Sequence, residues 1–169
     1  MLEMKNLFIT LCCFFGIKAA SAQEIIRLDI DSASFVKRLV IPNLKNLQKL
    51  VNAPQKDFVA TMVSLGYKLS KLDDHEFYAA ADANGDALFG VMKSADQTSV
   101  SVMFFQKTDY PKQMMERFVS QYGQTQHEKV KGADGYYFKI DDGNGGTKDF
   151  CIIFDNRKKT CAVSIVTGN

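Results

Sequence analysis

The sequence has no tryptophan, the side chain found most often at the hottest positions of protein interfaces, so any interface here rests on other anchors. Histidine occurs only twice, at His75 and His127. They are far apart, neither has a second histidine at ligand spacing, and no zinc-site pattern is present. His75 follows Asp73 and Asp74 and reads as part of a solvated polar loop. No GxSxG, GxGxxG or GxxxxGK[ST] pattern occurs, which removes the signatures of a nucleophile elbow, a dinucleotide site and a P-loop. An excess of charge of one sign is also missing. The chain holds 21 basic and 19 acidic side chains, too even a balance to steer nucleic acid or anionic lipid.

Long apolar runs are lacking too, and the one at the N-terminus is short. Lys5 precedes the run from Leu7 to Ile17, and Ala20-Ser21-Ala22 follows. A basic start, a brief apolar core and small residues at the minus 3 and minus 1 positions describe a secretory signal peptide over residues 1–22. The run falls short of the ~20 residues that span a bilayer. Removing this leader takes away Lys5, Lys18 and Glu3, leaving 19 basic and 18 acidic groups in 147 residues. The expected mature chain is exported, periplasmic or extracellular, with no stable membrane insertion. Its length supports a single domain over 23–169 that folds without metal or disulfide.

Of four cysteines, the leader takes Cys12 and Cys13. Cys151 and Cys161 flank a segment that reads strand, turn, strand, with Asn156 at its midpoint. A hairpin centred there brings the two sulfurs together as a disulfide, while a register slip leaves two buried thiols. Both outcomes stay open on spacing alone.

What the sequence does have is a stretch that occurs twice. Pro54 opens PQKDFVATMVSLGY and Pro111 opens PKQMMERFVSQYGQ. Counting from each proline, apolar residues recur at plus 4 (Phe58, Met115), plus 8 (Met62, Val119) and plus 11 (Leu65, Tyr122). Glycine follows at plus 12, as Gly66 and Gly123. Steps of four and three share one helical face. Proline suits the first turn and glycine the position just past the end. Upstream, QEIIRLDID alternates like a strand, a first helix is expected from about Phe35 to Pro42, and Leu44, Leu47 and Val51 repeat on a helical face.

Each duplicated stretch leads into strands. In the first unit these are EFYAAAD and ALFGVMKS, hinged at Ala83-Asn84-Gly85, then SVSVMFFQ. In the second they are GYYFKIDD, DFCIIF and CAVSIV. Val100, Val102 and Phe104 alternate against Ser99, Ser101 and Met103, as in a half-buried strand. Phe89 and Ile152 lie 63 apart, as do Val100 and Val163, against 57 for the helices. The expected fold is α+β: two tandem α-βββ units, about 43–105 and 109–167, giving about six antiparallel strands with helices on one face and extra N-terminal helices. The turns around Asn84-Gly85 and Gly143-Asn144-Gly145 fit neither a calcium loop nor a phosphate cradle and read as hairpin loops.

Two such units on an exported chain resemble the layout of the β-lactamase inhibitor protein family, over about residues 43–166. That resemblance implies a concave sheet presented to a partner enzyme. The helices here begin Pro54-Gln55-Lys56 and Pro111-Lys112-Gln113 in place of that family's Gly-Met-Thr, and the first unit has no cysteine pair. Only the fold idea carries over. In DFCIIF both alternating faces are apolar, so Tyr78, Phe89, Tyr137, Phe150 and Ile152 are candidates for an aromatic surface left open by the helices. The expected function is a small exported, non-enzymatic binding protein that meets another protein through its sheet. No catalytic, cofactor or metal residues are assigned. The alternatives are an envelope enzyme of hydrolase type, or a hydrophobic-ligand carrier with a dry cavity.

Overall fold

A computed structural model describes residues 22–32, 38–81, 86–105, 126–130, 133–141, 146–155 and 160–166, with Glu116 and Ser120 between them. The leader, the second Pro-started stretch from Pro111 to Gly123, and the turns around Asn84-Gly85, Gly143-Asn144-Gly145 and Asn156 lie outside the described residues, apart from Glu116 and Ser120.

Two helices form where the apolar periodicity places them. Helix α1 is Leu44–Asn52, started by Asn43, whose side chain accepts from the Asn46 amide at 2.8 Å. That is the bond an N-cap asparagine makes to an otherwise orphaned donor. Leu47 and Leu50 are fully buried. Helix α2 is Gln55–Ser64. Pro54 is its cap, and the Pro54 carbonyl accepts from Asp57 and Phe58, both at 3.0 Å. Gly66 closes α2 with φ +85, while the Gly66 amide reaches the Val63 carbonyl (2.9 Å) and the Tyr67 amide the Met62 carbonyl (3.0 Å). A residue with a Cβ is strained in that left-handed turn, which accounts for the glycine.

The C-terminal carbonyls of α1 meet an unexpected donor. Lys93 is 8% exposed, and its ammonium donates to Leu50 O (3.1 Å), Val51 O (3.0 Å) and Ala53 O. A cation at a helix C-terminus answers both the orphan carbonyls and the negative end of the dipole. Burial holds its pKa below the ordinary lysine value.

Residues 24–29 run extended across both helices, and helix side chains bind their backbone. Glu24 N donates to Asp57 Oδ1 (3.0 Å), Ile26 N to Thr61 Oγ1 (2.9 Å) and Asp29 N to Asn46 Oδ1 (2.9 Å). Ile26 and Leu28 pack against the core, so the alternation read in the sequence survives as a strap. The strap ends in β1 (Ile30–Asp31), which pairs antiparallel with β2 (Leu39–Val40). The helix expected from Phe35 to Pro42 is corrected here: Phe35 lies outside the described residues, and Leu39 and Val40 are strand. Tyr67 fixes them, accepting from Val40 N (3.2 Å) and donating to Arg38 O (2.8 Å).

The remaining strands are β3 (Lys68–Leu72), β4 (His75–Ala81), β5 (Ala87–Lys93), β6 (Ser99–Phe104), β7 (Gln126–Val130), β8 (Ala133–Asp141), β9 (Thr147–Asp155) and β10 (Thr160–Val166). They form one antiparallel sheet in the order β3-β4-β5-β6-β10-β9-β8-β7. Among the described residues the sheet has eight strands, where six were expected. The two additional strands are the edges, KLSKL and QHEKV, whose lysines, histidine and glutamate hide them from a search for apolar runs. His75 accordingly opens a strand instead of sitting in a loop, and the His127 backbone lies within β7.

The core fills the space between the helices and one sheet face. Phe89, Val91, Val100, Val102, Phe104, Phe150, Ile152, Val163 and Ile165 line it, with Leu47, Leu50, Phe58 and Met62 opposite. Helix α1 packs across β6 and β10, the central pair.

Candidate functional site: the sheet face opposite the two helices

Residues opposite each other across an antiparallel ladder share a face. Register therefore sorts every strand side chain into a helix side and a free side. Val102 faces Val163, and Val163 faces Ile152, all on the helix side. Met103 faces Ala162, and Ala162 faces Ile153, all on the free side.

This sorting corrects the sequence-derived surface. Phe89, Phe150 and Ile152 are 0% exposed and belong to the core. Tyr78 is half-buried on the helix side, edge-on to Phe58 with ring centroids 5.8 Å apart. Tyr137 alone of the five lies on the free side, half-buried, with Cys151 across the ladder.

The free side carries a different set. One continuous row runs Lys68, Ala79, Gly90, Met103, Ala162, Ile153, Gly135 across seven strands. Its glycines are floors for aromatic rings. A Cβ on Gly90 would lie 2.7 Å from Phe77 Cδ2 and 3.1 Å from Phe105 Cε2, and one on Gly135 3.0 Å from the Tyr137 ring. Phe77 and Phe105 pack together at 5.3 Å. Met92, Met103, Phe105, Tyr137, Ile153 and Ala162 are half-buried, on the face opposite the one against which α1 and α2 pack. At the centre Ser101 faces Ser164, and their hydroxyls bond at 2.7 Å. The sequence held one usable signal for this face. Ser99, Ser101 and Met103 alternate against the wholly apolar Val100, Val102 and Phe104, which marks the free side of β6. The other strands add their members only once register is known.

Register also decides the cysteines. Cys161 faces Phe154 and Cys151 faces Ser164, so the hairpin axis falls between positions 157 and 158 and not at Asn156. The slip sends the thiols to opposite faces, and both are free and buried. Of the two outcomes that spacing left open, the structure has the two buried thiols. Burial pushes the Cys161 thiol up to about 12 and raises that of Cys151 against an opposing hydrogen bond from Ser164. At pH 8 a thiol of pKa near 12 is ionised in about one molecule in 10⁴. Iodoacetamide should leave both cysteines of the folded mature chain unmodified over hours and alkylate both once denaturant is added. A native chain that labels quickly, or a denatured one that needs reductant first, contradicts this arrangement.

Among the described residues no cluster of three or more His, Cys, Asp or Glu side chains could hold a metal ion, and no helix is long and apolar enough to cross a membrane. The chemistry of the free face is contact chemistry: thioethers, aromatic rings and small residues around a hydroxyl pair. Comparison with family models, curated proteins and solved structures finds no match for the chain.

Proposed function

We propose that this is a small exported, non-enzymatic binding protein that docks another protein on the sheet face opposite α1 and α2. One observation carries the reading: the row from Lys68 to Gly135. Seven strands at about 4.8 Å spacing make it ~29 Å long. That is the span of a protein interface and too broad for a small molecule, which is usually enclosed on most of its surface. Methionine and aromatic residues on the face are types enriched in interfaces.

We also infer that the sheet is a duplication, as in the β-lactamase inhibitor layout. Two residues separate β3 from β4 and two separate β7 from β8; five separate β4 from β5 and five β8 from β9. The central pair Ser101 and Ser164 is 63 apart, the offset shared by Val100 and Val163.

The test uses the mature chain immobilised against envelope extract and culture medium of the source cell, beside Met103→Asp and, as a control on the strap, Ile25→Asp. A stoichiometric partner retained by wild type and Ile25→Asp, and reduced at least tenfold by Met103→Asp with unchanged circular dichroism, is the expected result. Equal capture by all three, or no stoichiometric partner, removes the proposal.

A further inference from the structure

The two edges of the sheet are unlike. β7 carries Gln126, His127, Glu128 and Lys129, the charged and polar dressing that keeps an edge from recruiting other strands. β3 carries Lys68 and Lys71 but also Leu69 and Leu72, which are 58% and 51% exposed. Among the described residues β3 pairs with β4 alone, so its outer side presents a row of main-chain donors and acceptors.

A cleft of about 930 Å³ opens along the helix side of this edge. Its apolar lining includes Phe58 and Val59 of α2, Leu69 of β3, Tyr78 of β4 and Val91 of β5. Val63, 59% exposed, continues the Val59 face one turn along α2. Leu69 and Val63 thus lie on the cleft side of this edge, and Leu72, three residues along β3, stands on the other face. The Lys93 ammonium in the cleft wall is already bound to α1 carbonyls, and further polar lining lies at Lys71, Asp74, His75, Glu76, Ser94 and Asp96.

We propose that β3 takes an extended segment of a partner polypeptide as a ninth strand, with apolar side chains entering the cleft between α2 and β3 and carboxylates on the opposite side. Charge selects this occupant. Lys71 has Glu76 opposite it, but Lys68 has only Ala79, so an uncompensated positive charge stands on the free side of the edge. A second copy pairing β3 with β3 would gather four lysines, which disfavours self-association. A strand alternating valine with glutamate offers apolar groups to Leu69 and Tyr78 and a carboxylate to Lys68. The main chain then supplies affinity and the alternating side chains specificity. This site shares Lys68 with the end of the docking row proposed above, but not the centre of that row at Met103 and Ala162.

The probe is a fluorescent hexapeptide, acetyl-(Glu-Val)₃-amide, titrated into the mature chain and compared with acetyl-(Lys-Val)₃-amide. Saturable binding is expected for the glutamate peptide, at least tenfold tighter than for the lysine peptide. Amide shift changes should concentrate in β3, Val59 and Val63. Leu69→Asp, at an exposed position that tolerates the change, should weaken binding tenfold, and Lys68→Glu should reverse the preference between the peptides. Met103→Asp should leave binding unaltered, which separates failure here from failure of the free-face reading. Equal binding of both peptides, shift changes centred on Met103 and Ile153, or a dimer that forms through β3 and excludes the peptide would each overturn the proposal.

Discussion

Replacing Asn46 by alanine should lower the unfolding free energy by about 3 kcal/mol, a large effect for one side chain at the edge of a core. Asn46 is 0% exposed. Its amide nitrogen donates to Asp29 O and Ile41 O, both at 2.8 Å, and its oxygen accepts from Asp29 N at 2.9 Å. Alanine leaves the Asp29 amide without a partner, at about 1–3 kcal/mol if it stays buried, and takes one of two hydrogen bonds from each of the Asp29 and Ile41 carbonyls, which keep the Ile41 and Asn43 amides. The strap limits the total, because residues 24–29 can lift and let water in. Asn46→Asp should be about as severe: it keeps the acceptor but turns a carboxylate toward two carbonyl oxygens. Urea melts measure the loss. Amide exchange should show Ile26 and Asp29 opening first, ahead of the sheet. A loss under ~1 kcal/mol, or opening spread evenly over the molecule, would refute the role given to this side chain.

That strap illustrates what the sequence makes legible. Its alternation, the α1 stripe of Leu44, Leu47 and Val51, the Pro54 start and Gly66 stop of α2, and the alternation of β6 are local patterns. A chain segment of ten residues is enough to read them. Lys93 is not legible in this way, because its three carbonyl partners lie some forty residues earlier. Leu39 and Val40 suited a helix by composition, yet pairing with Ile30 and Asp31 and the Tyr67 hydroxyl draw them into a strand. The edge strands were hidden by the charges that suit them to an edge.

The free face was hardest to read for a physical reason. Its floor is made of single small residues, Ala79, Gly90, Ala162 and Gly135, each from a different strand. No one of them is informative in its own segment. Only pairing brings them into a row, and pairing is a property of the whole sheet. The cysteines show the same dependence: a hairpin axis one and a half residues from Asn156 separates the thiols that spacing seemed to join.

The sharpest test of the sheet's two sides lies within one strand, where DFCIIF is apolar on both. Phe150→Asp should abolish cooperative folding, while Ile153→Asp should leave a folded chain weakened by no more than about 1–2 kcal/mol. Phe150 is fully buried, opposite Ile165 and Phe138, with its ring edge-on to Phe138 at 6.1 Å. Truncating a buried phenylalanine costs about 3–5 kcal/mol. An unpaired carboxylate in the same place adds several more, or must take up a proton. The sum rivals the ~5–15 kcal/mol that holds a domain together. Ile153 is half-buried between Ala162 and Gly135 on the free side, where a carboxylate keeps contact with water. Near-ultraviolet circular dichroism and thermal melts distinguish the two variants. If Ile153→Asp unfolds the chain as thoroughly as Phe150→Asp, the free face is a second core, and the partner surface proposed on it does not exist.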